Sequence, residues 1–146
     1  MHIAPAASHL TSFLDRFKNV YDGQSLKQID QIIAVAASHH RLAWIHPFLD
    51  GNGRVTRLFT HRYLIKARID GHGMWTVSRG FALNREAYVS ALAEADSHRE
   101  SDYDGRGNLS NKGLCDFCAY FLDTALGQIG YMSSLLELDE IKKDDR

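Results

Sequence analysis

One run of twelve residues, His46-Pro47-Phe48-Leu49-Asp50-Gly51-Asn52-Gly53-Arg54-Val55-Thr56-Arg57, brings together a titratable base, a carboxylate, two glycines and two arginines. Gly51 and Gly53 flank Asn52 just where a helix should open, so their backbone N–H groups can turn inward on an anion. Such a nest, with the positive end of the following helix behind it, is a ready phosphate site. Arg54 and Arg57 are three residues apart and share one face of the first helical turn. Two guanidinium forks beside an anion nest suit a polyphosphate better than a single phosphate. They also oppose the helix dipole, which makes them a poor choice for structure alone. Asp50 adds a hard oxygen ligand that can hold Mg²⁺ against phosphate oxygens, and His46 is a base able to accept a proton near neutral pH. Base, metal carboxylate, anion nest and paired arginines are the parts of a phosphoryl- or nucleotidyl-transfer site. The run is not a Walker A loop, because the G-x-x-x-x-G-K-[ST] spacing and its Lys are both missing.

The elements that must position these residues read as helices nearly throughout. Leu10, Phe13, Leu14, Phe17 and Tyr21 recur at i, i+3, i+4, and the pattern ends at Asp22-Gly23. Ser25 can cap a second helix running through Leu26, Ile29, Ile32, Ile33 and Val35 to about Trp44, and Pro47 stops it at His46. A third helix opens at Gly53, carries Val55, Leu58, Phe59, Leu64 and Ile65, and is broken by Asp70-Gly71-His72-Gly73. Met74–Arg79 reads as extended or irregular, and Asn84 caps a helix through Tyr88, Leu92 and Ala95. His98–Asn108 is a polar surface loop, and Ser110 caps a last long helix that Gly127 and Gly130 weaken before a charged tail, Glu137–Arg146. The expectation is one all-α domain over residues 1–146, with the reactive run between two core helices.

Composition excludes several classes. The 146 residues, 45% of them apolar, suffice to bury a real core in a single domain. Seventeen Lys and Arg against eighteen Asp and Glu leave a formal charge of −1, which argues against a generally basic nucleic-acid binder. No apolar stretch approaches the ~20 residues of a membrane span, and there is no signal-peptide layout, so a cytoplasmic protein is expected. Cys115-x-x-Cys118 has no second pair to complete a zinc site, and it falls within the stripe Leu114, Phe117, Cys118, Phe121, Leu122, Ala125, Ile129, Met132, so both thiols are expected in the core. A calcium loop starting at Asp102 fails, because Arg106 would occupy a ligand position and Gly113 the place of the closing Glu.

The reactive run fits, without gap or mismatch, the H-P-F-x-[DE]-G-N-G-R-x-x-R signature of Fic domains, so the chain resembles that family. The resemblance extends to an extended piece around Trp75–Gly80 and to Arg85-x-x-Tyr88 on the next helix. Asp104-Gly105-Arg106-Gly107-Asn108-Leu109-Ser110 and the helix after it resemble one bacterial subgroup of larger Fic proteins, so the likeness covers almost the whole chain. It implies a Fic-type helical bundle that transfers AMP from ATP to a Tyr, Thr or Ser hydroxyl of a target protein and releases pyrophosphate. Carried over, His46 is the general base, Asp50 the Mg²⁺ ligand, and Gly51, Asn52 and Gly53 the anion hole. Arg54 contacts the α- and β-phosphates, Arg57 the γ-phosphate, and Phe48 plugs into the core to fix the loop. Tyr88 stands either beside the adenine ring or in the core, and Asp96 replaces an Asn that reads adenine in relatives. Only the end of the family's β-hairpin flap is expected, at Met1–Pro5. No complete [ST]-x-x-x-E-[GN] inhibitory motif occurs: Ser133 and Glu137 have the spacing, but Leu138 follows. An inhibitory segment is therefore expected upstream or on a separate antitoxin. Two other readings stay open: transfer of another group, such as UMP, and a non-catalytic regulatory module that forms homodimers.

Overall fold

The computed structural model describes residues 4–22, 26–69 and 71–144, with side chains described to residue 137. The Ser25 cap and the flap residues Met1–Ile3 lie outside the described residues. A 3₁₀ turn leads into α1 (Leu10–Tyr21), followed by α2 (Gln28–Ile45), α3 (Asn52–Lys66), α4 (Val77–Leu83), α5 (Arg85–Ala95) and α6 (Asn111–Asp144). Among the described residues there is no strand, only isolated bridges such as His98 to Leu109, in agreement with the all-α expectation. None of their helices is long and apolar enough to cross a membrane.

α2 is the axle of the bundle. It packs against α1, α3 and α6, and its buried residues Ala34, Val35, Ala36, Ser38, His39, His40, Leu42 and Ile45 leave it little solvent face in its C-terminal half. Phe17 of α1 closes one side against Leu42 and Ile45. On the other side a larger cluster joins Val35, Tyr63, Phe81, Tyr88, Phe117 and Phe121, with the Phe81 and Tyr88 rings stacked 4.4 Å apart. Polar groups in so dense a core need partners. The Ser38 hydroxyl donates to Val35 O at 2.9 Å, and both histidines are hydrogen-bonded through their rings.

Several boundaries differ from the sequence expectation. α2 starts at Gln28 rather than before Leu26, and α3 begins one residue early, at Asn52. The segment expected to be extended, around Trp75–Gly80, is helical from Val77: Thr76 takes the extended cap conformation and its hydroxyl accepts the Arg79 N–H at 3.2 Å. The turn is short, but it buries Val77 and Phe81, one helical turn apart. α6 runs through Gly127 and Gly130 without a break to Asp144. Its C-x-x-C pair splits: Cys115 is exposed, while Cys118 packs on the core and burial pushes its thiol up to about 11. Neither belongs to a metal-binding group of three or more side chains among the described residues.

The loop from α5 to α6 is tied at both ends. Ser110 accepts the Gly113 N–H at 3.0 Å, as a cap should, and donates to Asp104, which also accepts the Lys112 N–H at 2.8 Å. These bonds, the Lys112 N–H first, lower the Asp104 pKa. Gly113 is required by proximity, since a Cβ there would lie 2.7 Å from the Glu94 carbonyl oxygen.

Candidate functional site

The reactive loop is built by two left-handed residues and one buried amide. α2 terminates at His46, whose φ of 50° and ψ of 57° turn the chain out of the helix while its N–H still reaches Leu42 O at 3.2 Å. Gly51, at φ 82°, turns it back into α3, and a side chain there would be strained. Directly after Gly51, Asn52, only 5% exposed, clamps the loop on itself. Its Oδ1 accepts the Phe48 N–H at 2.8 Å and its Nδ2 donates to Phe48 O at 2.5 Å. Phe48, expected to plug the core, is 51% exposed; the Asn52 amide fixes the loop instead.

Asp50 lies on the exposed rim. Its Oδ1 accepts the Gly51 N–H at 2.6 Å and its Oδ2 takes an Arg54 Nη2 hydrogen bond at 3.2 Å. The carboxylate thus occupies one nest donor and one arginine donor, where an incoming phosphate oxygen would compete with it. With side chains 72% and 93% exposed, the pair is worth little in stability and opens readily.

Beside the loop is a cavity of about 900 Å³, large enough for a nucleotide. His46, Asn52, Gly53, Arg57 and Tyr88 all line it, whereas Asp50, Gly51 and Arg54 sit on the adjacent turn. Trp44, Val89 and Leu92 supply apolar lining, and Asp96, which accepts from or pairs with His40 Nε2 at 2.8 Å, adds a carboxylate. Burial lowers the His40 pKa, against the opposing effect of its hydrogen bond to the Asp96 carboxylate.

Tyr88 turns its hydroxyl inward rather than across the cavity. The hydroxyl is 2.9 Å from His39 Nε2, and His39 Nδ1 is 2.7 Å from Thr60 Oγ1, which donates to Thr56 O at 2.9 Å. Burial pushes the Tyr88 pKa up to about 12, against the charge and hydrogen bonding of the Arg57 guanidinium beside it. Burial, assisted by His40 and Arg57, pushes His39 down to about 3, so it is neutral at any physiological pH. The sequence reading does not single out His39 and Thr60, although the spacing holds a signal: His39 is two helical turns before His46, and Thr60 one turn after Thr56.

A second cavity, of about 440 Å³, collects Arg16, Arg41 and Arg106. Two of these guanidinium groups are already engaged: Arg41 lies 4.4 Å over the Trp44 ring, and Arg106 donates to Ala95 O and Ser110 O.

The helical bundle turns through a glycine into a helix N-terminus, with paired arginines beside a nucleotide-sized cavity, an arrangement chemically suited to an anion. Residues 1–64 match the Fic/DOC family, so this segment is similar to that family. The match ends within α3, so Tyr88 and the cavity wall from α5 lie beyond it. Relatives include the protein adenylyltransferase Fic of Drosophila erecta, 33% identical over 66 residues, which are 45% of this chain and 13% of the relative. The same protein of Drosophila grimshawi is 32% identical over 66 residues, covering 45% of this chain and 14% of the relative. That of Drosophila melanogaster is 33% identical over 66 residues, with 45% and 13% covered. The matched stretch is thus about one seventh of the length of these relatives.

Proposed function

We propose that this chain is the catalytic core of a protein adenylyltransferase, moving AMP from ATP to a hydroxyl of a target protein. The observation that carries the reading is the cavity that His46 and Arg57 both line, with the helix N-terminus between them. ATP seats its base against Trp44, Val89 and Leu92 and its phosphates on the Gly51–Gly53 N–H groups, Arg54 and Arg57. His46 takes the proton from the target hydroxyl as its oxygen attacks the α-phosphorus. The bond from that phosphorus to the bridging oxygen breaks, and the arginines take up the charge on the departing pyrophosphate.

Asp50 is a fitting Mg²⁺ ligand. It is an exposed carboxylate at the phosphate site, and Mg²⁺ characteristically uses one or two carboxylates together with substrate phosphates. Bound there, the ion would neutralise phosphate charge. No three metal-ligating side chains gather among the described residues, so the nucleotide would bring most of the coordination.

Incubating the protein with α-labelled ATP, or separately UTP, Mg²⁺ and a lysate as acceptor tests the reading. Acid-stable label from ATP that disappears in His46→Ala supports it. Label from UTP alone would redirect the nucleotide assignment, and label from neither would overturn the activity.

A further inference from the structure

We infer that the buried chain Thr60–His39–Tyr88 sets the direction in which Arg57 points, which makes His39 and Tyr88 positioning residues for the terminal phosphate. The inference rests on the reading of Arg57 as the γ-phosphate arginine.

Hydrogen-bond polarity runs one way through the chain. The Thr60 hydroxyl spends its proton on Thr56 O at 2.9 Å, so towards His39 it can only accept. His39 Nδ1, 2.7 Å away, must then carry the ring proton, which leaves Nε2 as a bare acceptor. The Tyr88 hydroxyl, 2.9 Å from Nε2, must donate to it. The lone pairs of the Tyr88 oxygen are thereby left for a donor on the cavity side, where Arg57 lies. Thr60 and His39 are fully buried and Tyr88 is 8% exposed, so bulk water does not compete to reverse the order. The Tyr88 ring is held separately, by its stacking on Phe81 at 4.4 Å. Removing the hydroxyl therefore leaves the ring in place and takes away two things together, the donor to His39 Nε2 and the acceptor available to Arg57.

A chain that merely satisfied a buried histidine would leave Arg57 indifferent to the loss of the Tyr88 hydroxyl. In ¹⁵N NMR of the ligand-free protein, His39 should be the Nδ1–H tautomer at neutral pH, and Tyr88→Phe should shift the Arg57 Nε–H resonance. The Nε2–H tautomer, or an unmoved Arg57 resonance, would overturn the inference without any nucleotide present. Calorimetry with ATP and ADP supplies the functional half. Arg57→Ala should weaken ATP by about 10- to 100-fold, as for one charge-assisted contact, and leave ADP nearly unchanged. Tyr88→Phe should weaken ATP several-fold, also without touching ADP, and should add nothing to Arg57→Ala in the double variant. Thr60→Val, of like volume, should act in the same direction. Equal losses for ATP and ADP in Tyr88→Phe, or full additivity, would reduce the chain to a structural role. If Arg57→Ala itself failed to separate ATP from ADP, the γ-phosphate reading would be at fault, and the functional half of the inference would fall with it, whatever the NMR result.

Discussion

At the residue scale the loop divides its work between side chains that face the cavity and one that clamps the loop itself. His46 is positioned by its backbone: the left-handed turn at the end of α2 ends the helix there, beside the cavity. His46→Ala should cut transfer by roughly 10²–10⁴-fold, the usual contribution of a general base, while ATP affinity measured by calorimetry stays near wild type. Asn52 works the other way. Its amide makes both loop bonds, so Asn52→Ala should lower stability by about 1–3 kcal/mol and weaken ATP binding with it, because two backbone groups at Phe48 lose their partner. Urea unfolding beside an ATP titration would check this; an unchanged unfolding midpoint would mean that the loop is held by other contacts. Asp50→Asn should blunt the Mg²⁺ dependence of ATP binding, since an amide is a poor ligand for a hard cation. A metal titration superimposable on wild type would remove Asp50 from the site.

At the scale of elements, close approach decides more than propensity. The start of α6 lies against the end of α5 at Gly113, where the obstacle to a Cβ is a backbone carbonyl that no rotamer change can move. Gly113→Ala should therefore destabilise by about 1–3 kcal/mol, although alanine is the better helix former. Thermal unfolding would show it, and an alanine variant as stable as wild type would mean that the two helices part easily. What is legible in the sequence follows the same division. α1, α3 and α5 announce themselves through apolar spacing and caps such as Asn84, whose side chain accepts the Ala87 N–H at 3.1 Å. α4 does not, because seven residues hold too few repeats of the period and its cap Thr76 lies within a stretch that otherwise reads as irregular. The chemical run is legible because it is contiguous. The exposure of Phe48 is not, since it depends on Asn52 reaching back four residues, and the His39 chain is not, since its members come from three different helices.

At the scale of the whole molecule, the buried histidines tie stability to acidity. His39 falls from its ordinary 6.5 to about 3 on folding, chiefly through burial, so below pH 6.5 the unfolded chain binds a proton that the folded one refuses. The stabilisation is complete above pH 6.5 and is lost progressively as pH falls towards 3, by about 1.4 kcal/mol per pH unit for this group. His40, also lowered by burial, acts in the same sense. Urea midpoints should fall as pH drops from about 6.5 to pH 5; a flat profile would mean that His39 is solvated or protonated in the fold. The central position of α2 has a consequence for exchange with solvent. Its middle is enclosed by α1, α3 and α6, so amides such as those of Val35 and Ala36 lie deep in the bundle. They should be among the last in the protein to take up deuterium, exchanging only when the entire bundle opens. His46 lies about ten residues further along the same helix, so its position is carried by a segment that opens only with the fold.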